Sequence, residues 1–395
     1  MLLAALLAAT TSTAAPAAAP LPAQPPAESG SVIVVTGKSL EATRRALEEC
    51  IARKCPAEED IGATLAHAEN LFVAGDYKQA RAVLKKSIGR NGDEAARLPI
   101  PVAGLYRANG RVAAHLGEGE DYHRSAYRSW TILKEGADVP EWQRLAARLE
   151  VANMISSLQG LWAGRRAYLQ LAEEADRAGR ADIAAIARLK AIWAEYVATP
   201  TRPVEKQLWR IANEANPATR QSRLGALILL ARIERDRKSK QGAAAEALIK
   251  ELSATRSTRP TLLYAPEISQ LRGDKWNPDP SAVRGYSVTQ RMAAENFDDR
   301  WVDVAFRIEP NGRVADVEIV RESGSTRWAE PVLGAIAGRV YAPLADGQSQ
   351  YRLERFTWTS NWDTRIDTRL RVRSPEGVIQ SLDLTAGPPP AAKGS

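Results

Sequence analysis

A helical pattern runs through the first two thirds of the chain and restricts its fold more than any other feature. The segment TLAHAENLFVAGDYKQARAVLKKSI (64–88) has an apolar stripe, a turn at 75–77 and a second apolar stripe. The small side chains of Ala68 and Ala80 allow two antiparallel helices to approach closely, and Tyr77 can fill the notch between them. The pattern predicts a helical hairpin, and such a hairpin cannot bury its apolar face alone.

A second copy of the pattern is LYRANGRVAAHLGEGEDYHRSAYRSWTIL (105–133). The two segments resemble tetratricopeptide repeats, although the second has a longer turn and carries Ser125 where alanine is usual. The resemblance implies stacked helix pairs that present a groove to a peptide or a partner helix. The alternative is a helical bundle without a groove. Tyr77, Tyr122 and Trp130 are the candidate partner-binding residues of this part, with a role in the core as the alternative for each.

Composition divides the rest of the chain. Helical signals continue to about residue 255, so we assign residues 31–258 to a helical repeat domain. Residues 259–283 are rich in Pro, Asn, Asp and Trp, a composition that favours an inter-domain linker. Residues 284–385 then form a second domain. Residues 386–395 are predicted to be a disordered tail.

The second domain begins with a different periodicity. Apolar residues alternate with polar ones in 301–308, a turn follows at 310–312, and the alternation returns in 315–319. This pattern predicts a hairpin with one face buried. Helical spacing follows in 326–341 and a further strand in 351–360. The order is β-β-α-β, and the single helix is expected to cover one face of a small antiparallel sheet.

This order, with its turn residues, resembles the TonB C-terminal domain. The residues that carry the resemblance are Gly312, Val314, Val317, Ile319, Ser323, Gly324, Tyr341, Ala342 and Pro343. The resemblance implies contacts with outer-membrane receptors or other envelope proteins, made by adding a partner's strand to the sheet. The predicted fold class is therefore α+β multidomain: a tetratricopeptide-like helical domain followed by a small TonB-like β-β-α-β domain.

The sequence departs from TonB transducers in two ways. Those proteins have an uncleaved membrane helix and a long Pro-rich spacer, whereas this chain has a short apolar start and a helical domain in place of the spacer. We therefore predict an exported adaptor of the cell envelope. Its helical repeats bind a protein or peptide, and its TonB-like domain binds an envelope protein or polymer by strand pairing; a TonB-dependent receptor is one candidate partner. The alternative is a transport accessory or energy transducer that needs a membrane anchor.

The N-terminus resembles a secretion signal. Residues 1–9 are apolar, small residues follow at 12–14, and residues 1–30 together are predicted to be a signal peptide and an Ala/Pro-rich tether. This indicates the periplasm and no stable membrane span. No basic residue precedes Lys38, so an upstream start and a membrane-anchored form are the alternative.

The run VIVVTG (32–37) resembles the mature N-terminus of TonB-dependent receptors; it is either a donated strand or simply a first strand.

Two further features concern the cysteines and the charge. Cys50 and Cys55 are candidates for a disulfide, provided that the first helix ends before Cys55. The net charge is +7 with a pI near 9.4, which suits acidic partners. A cytoplasmic nucleic-acid-binding protein is the corresponding alternative, but no nucleic acid partner is expected for the exported adaptor.

A second hairpin is predicted in 364–385, turning at 374–377. It places the candidate partner-binding residues Arg369, Arg371 and Arg373 on one face, where protection of a sheet edge is the alternative role.

No catalytic constellation is recognised in the sequence. The three histidines, His67, His115 and His123, lack a partner at metal-ligand or triad spacing. No phosphate-binding loop or dinucleotide fingerprint is present. We therefore predict a protein without enzymatic activity, metal or cofactor. An envelope hydrolase with an unrecognised site is the alternative.

Overall fold

The computed structural model describes residues 38–237, 242–254, 260–266, 268, 300–344, 347–364 and 371–385. The described residues between Ser39 and Thr385 belong to one compact unit. The predicted signal and tether, the VIVVTG run, the tail, Arg369 and most of the predicted linker lie outside the described residues.

The first part is helical, as predicted. Its α-helices are α1 (Leu40–Ala52), α2 (Ala57–Ala74), α3 (Tyr77–Asn91), α4 (Pro99–His115), α5 (Gly119–Glu135), α6 (Glu141–Gln159), α7 (Leu161–Arg177), α8 (Ala181–Ala198), α9 (Arg202–Ala212), α10 (Arg220–Asp236) and α11 (Ala243–Ala254). The turn at 75–77 has the expected physical basis. Gly75 ends α2 in a left-handed conformation, and the Asp76 carboxylate caps α3 by accepting from the amide of Gln79.

The helices stack in chain order. Each of the helices α1 to α11 packs against the next, and α2 with α4, α6 with α8, and α8 with α10 also make contact. The two repeat-like segments are the hairpins α2–α3 and α4–α5. Ala68 and Ala80 are fully buried between their helices, which agrees with the close approach expected of small residues. A stack of hairpins buries apolar surface that a single hairpin would expose.

The second part is an antiparallel sheet with one covering helix. Its strands are β2 (Trp301–Ile308), β3 (Val314–Ser323), β5 (Gln350–Thr364) and β6 (Arg371–Asp383), in the order β3-β2-β5-β6. Helix α12 (Glu330–Ala337) follows β3. The predicted β-β-α-β order between residues 301 and 360 is confirmed, and so is the α+β architecture.

The predicted hairpin at the C-terminal end is wrong. Residues 374–377 lie inside β6, which pairs with β5 along most of its length. The register shifts there, because Ser360 faces Gly377 whereas Trp362 faces Arg373. The outermost position of β6 explains why Pro375 is tolerated: an edge strand has one side on which no ladder amide is needed. The Pro-Glu-Gly sequence therefore produces an irregularity instead of a turn.

Part of the predicted linker also has regular structure. Residues Leu262–Tyr264 form β1, which pairs with β4 (Val340–Tyr341) as a two-stranded sheet. Its tyrosine, Tyr264, lies under the guanidinium of Arg235 on α10, 4.1 Å from the ring centroid. This segment therefore contacts both the helical part and the TonB-like part.

The sheet is covered on both faces. One face carries the alternating apolar residues of β2, which pack on Trp328, Val332 and Ile336 around α12. The expectation of a half-buried hairpin is wrong for β2, because Trp301 and Asp303 on its other face are buried as well. Trp301 belongs to the apolar core of the first helices. The helical part therefore covers the second face of the sheet.

Candidate interaction site

A buried ion pair lies where the sheet meets the helices. The Arg355 guanidinium donates to both carboxylate oxygens of Asp303 at 2.6 and 2.9 Å, and to the carbonyl of Phe72 on α2 at 2.9 Å. It also lies 3.9 Å from the centroid of the Trp301 ring. Arg321 approaches the same carboxylate at 2.7 Å from the exposed side. Because Asp303 and Arg355 are fully buried, each charge depends on the other for compensation.

An aromatic and hydroxyl cluster continues this contact. The hydroxyl groups of Tyr77 and Thr357 are 2.8 Å apart, and Nδ1 of His115 lies 3.2 Å from the same Thr357 hydroxyl. The Phe72 ring meets His115 edge-on at 4.8 Å. Burial, with the nearby cations of Arg111 and Arg355, lowers the pKa of His115 to about 3. The imidazole is therefore neutral, as expected for a group that joins two parts of a core.

A third contact joins the turn between α4 and α5 to the end of β5. The amide of Trp362 donates to the carbonyl of Gly117 at 3.0 Å. Gly117 has a φ of 71°, and a Cβ at this position would lie 1.8 Å from the carbonyl oxygen of Ser360. Only glycine allows both this backbone conformation and this close approach.

Alanine at position 117 is expected to reduce the free energy of unfolding by about 2–3 kcal/mol, because strain in the left-handed region adds to a clash with β5. Gly179 provides a matched control, since its φ is 67° and nothing lies within 4 Å of an added Cβ. Alanine at 179 is expected to cost about 1 kcal/mol through the backbone alone. Urea denaturation of both variants measures the difference. Equal losses would contradict the close contact between the turn and the sheet.

The structure places the three aromatic candidates of the helical part in different surroundings. Tyr77 is 2% exposed, so it contacts the sheet and not solvent. Tyr122 is partly buried against Val151 and Met154, and burial raises its pKa to about 12, with Glu150 contributing. Trp130 is partly buried, with the cations of Lys134 and Arg148 over its ring. Tyr122 and Trp130 pack against the same small cluster, whereas Tyr77 contacts the sheet. Partner binding by the three stays a prediction.

The arginine candidates of the last strand also differ from one another. Arg373 is buried, donates to the carbonyl of Ser360 at 3.0 Å, and stacks 4.8 Å from the centroid of the Trp362 ring. Its side chain therefore supports the end of β5. Only the backbone of Arg371 is described, and Arg369 lies outside the described residues. A partner-binding role for this group stays a prediction.

The two cysteines form a disulfide in the structure. Their Cα atoms are 5.1 Å apart. Helix α1 ends at Ala52, and Lys54 takes a left-handed conformation with a φ of 54° that returns the chain toward Cys50. Glu59 lies beside the sulfurs, but sulfurs bonded to each other are not thiolate ligands for a metal ion.

The outer edge of β3 is poorly suited to pairing with a further strand. Its ladder with β2 shifts register twice, and Asp316 at one shift has a φ of 52°. Exposed charges at Asp316, Glu318, Arg321 and Glu322 line the strand. Bulges and charges of this kind are devices that keep an edge strand from pairing.

The outer edge of β6 is regular in residues 378–383. The amide of Leu384 donates to the carbonyl of Leu353 on β5 at 2.8 Å. Alternate amides of a strand face the same side. Because the pairing continues without a shift from Asp383 to Val378, the amides of Ile379, Ser381 and Asp383 face away from β5. In the described part of the chain no strand pairs with this side. The sheet thus presents one regular row of backbone groups.

The comparisons with known proteins concern the sheet. Residues 283–367 match the family model described as TonB C terminal. No curated protein and no solved structure gives a significant match to the sequence. No helix in the described residues is both long and apolar enough to cross a lipid bilayer. The match ends before β6, which pairs with β5 at the edge of the sheet. Residues 283–367 of the chain are therefore a TonB C-terminal domain, joined to a stack of helices through a buried interface.

Proposed function

We propose that this protein is an exported, non-enzymatic adaptor of the cell envelope. The TonB C-terminal domain supports a function in protein interactions at the envelope, and the signal-like N-terminus supports export to the periplasm. In this proposal the sheet binds an extended segment of an envelope protein by strand pairing along β6, and the helical part is a scaffold that binds a second partner.

The observation that carries the proposal is the regular outer edge of β6. A partner strand there would accept hydrogen bonds from the amides of Ile379, Ser381 and Asp383. Main-chain hydrogen bonds of this kind give affinity with little demand on the partner's sequence. The β3 edge offers no comparable row, because of its two register shifts.

Proline at position 381 tests the pairing. It removes one outward amide and leaves the ladder with β5 intact, since the amides of Gln380 and Leu382 face β5. The full chain is immobilised, and envelope extract of the source organism is applied. We expect the unmodified chain to retain at least one envelope protein, and Ser381→Pro to reduce its recovery about tenfold.

The matched control is Ser381→Ala, which removes the same side chain and keeps the amide. It should retain the partner at the level of the unmodified chain. Circular dichroism and urea denaturation of both variants establish that the sheet is intact. If the proline variant is folded and retains the same proteins in the same amounts, the β6 edge is not the binding site.

A further inference from the structure

A groove lies where α5 meets the end of β5. Its volume is about 740 Å³, within the range of roughly 300–1,000 Å³ typical of ligand sites. Side chains from α5, the end of α6 and β5 line it, including Glu120, Arg124, Tyr127, Arg128, Leu158 and Trp362. Because the helical part and the sheet both contribute, the groove exists only when the two are joined.

The groove has an excess of positive charge. Arg124 and Arg128 are four residues apart on α5, so both guanidinium groups project from the same face. Arg128 is exposed and has no ion pair or hydrogen bond with any other described residue. Arg124 lies 4.0 Å from Asp121, but that carboxylate is already paired with Arg81 and Lys85. Both arginines are therefore able to bind an anionic group.

The surface between these cations is apolar and aromatic. Tyr127 packs against His123 with ring centroids 4.7 Å apart. On the other side, Trp362 is held by the hydrogen bond from its amide to the Gly117 carbonyl and by the Arg373 guanidinium stacked on its ring. Leu158 completes the apolar lining. These contacts fix the two aromatic walls before any ligand binds, which lowers the entropic cost of binding.

We propose that this groove binds a short acidic polypeptide segment. Its carboxylates contact Arg124 and Arg128, because the planar guanidinium group suits bidentate binding of a carboxylate. An apolar or aromatic side chain of the segment lies between Tyr127 and Trp362. An acidic sugar is the competing occupant, and the comparison with trigalacturonic acid below distinguishes the two. The site is separate from the outer edge of β6 and goes beyond strand addition.

The experiment uses the full chain and a fluorescein-labelled peptide, Glu-Tyr-Glu-Tyr-Glu-Tyr, in a fluorescence anisotropy titration. We expect saturable binding that weakens at least tenfold when glutamine replaces every glutamate in the peptide. The double variant Arg124→Gln/Arg128→Gln should weaken binding at least tenfold as well. The matched control is Arg166→Gln/Arg210→Gln, which removes two exposed arginines elsewhere and should leave binding unchanged.

A benzophenone derivative of the peptide locates the site, and its crosslinks are expected on α5 or at the end of β5. The proposal would be overturned if the two double variants lost peptide affinity equally, or if the crosslinks lay on other elements of the chain. It would also be overturned if trigalacturonic acid bound more tightly than the peptide. The Ser381→Pro variant should bind the peptide normally. The peptide titration therefore tests binding in the groove, and the envelope extract tests strand pairing at β6. Either proposal can fail without the other.

Discussion

Methionine in place of Arg355 is expected to destabilise the folded protein by about 3–5 kcal/mol. The substitution keeps most of the side-chain volume but leaves the buried carboxylate of Asp303 with a single, partly exposed cation, Arg321. It also removes the donor to the Phe72 carbonyl and the stacking on Trp301. Urea denaturation of the full chain measures the effect as a lower midpoint with an unchanged slope.

Two further variants test whether buried charge causes that loss. Arg313→Met replaces an exposed arginine immediately before β3 of the same sheet and should cost no more than about 0.5 kcal/mol. The double variant Asp303→Val/Arg355→Met removes both buried charges. We expect it to be at least about 1 kcal/mol more stable than the single Arg355 variant, because no unpaired buried charge remains. If Arg355→Met alone lowered the free energy of unfolding by less than about 1 kcal/mol, this would contradict a role of the ion pair in joining the sheet to the helices.

The regular elements follow from local patterns that the sequence displays. Helical spacing and a glycine-containing turn predict α2 and α3, and strict alternation predicts β2. These signals are strong because each arises from residues close together in the chain. The TonB C-terminal domain could be predicted for the same reason, since its turn and strand residues form one continuous pattern matched in 283–367.

The interface between the two parts could not be predicted in this way. Arg355, Thr357 and Thr359 alternate with apolar residues along β5, a pattern typical of a solvent-facing side. In the folded protein this side is buried, because helices far away in the chain supply partners for Arg355 and Thr357, and Arg373 of β6 donates to the hydroxyl of Thr359. Polarity predicts exposure only where no partner is available. Asp303, between two valines of β2, is the one signal that could have indicated a covered second face, since an acid in the middle of such a strand needs a partner.

The first half of β6 shows a second limit of local patterns. The sequence Ser-Pro-Glu-Gly is typical of a turn, yet the strand continues through it because pairing with β5 resumes on the far side. The candidate site depends on this outcome. A hairpin at 374–377 would have turned the chain back there, whereas the continuous strand covers β5 and exposes the regular edge at 378–383.

Acid is expected to weaken the contact between the helices and the sheet through His115. The folded protein holds the pKa of His115 at about 3, below the ordinary value of 6.5. As the pH falls below 6.5 the unfolded chain takes up the proton and the folded chain does not. The stability due to neutral His115 is therefore fully present above pH 6.5 and is lost progressively toward pH 3. Between pH 7 and pH 4.5 this loss amounts to roughly 2–3 kcal/mol.

The variant His115→Gln separates this effect from the titration of carboxylates. Glutamine can still hydrogen-bond to the Thr357 hydroxyl but does not titrate, so the variant should lose roughly 2–3 kcal/mol less than the unmodified protein between pH 7 and pH 4.5. The exposed His123 provides the control, and His123→Gln should leave the pH dependence unchanged. Urea denaturation at both pH values gives the four free energies needed for each comparison. If His115→Gln has the same pH dependence as the unmodified protein, the imidazole is reachable by protons in the folded state. The contact between the helices and Thr357 must then open without unfolding of the chain.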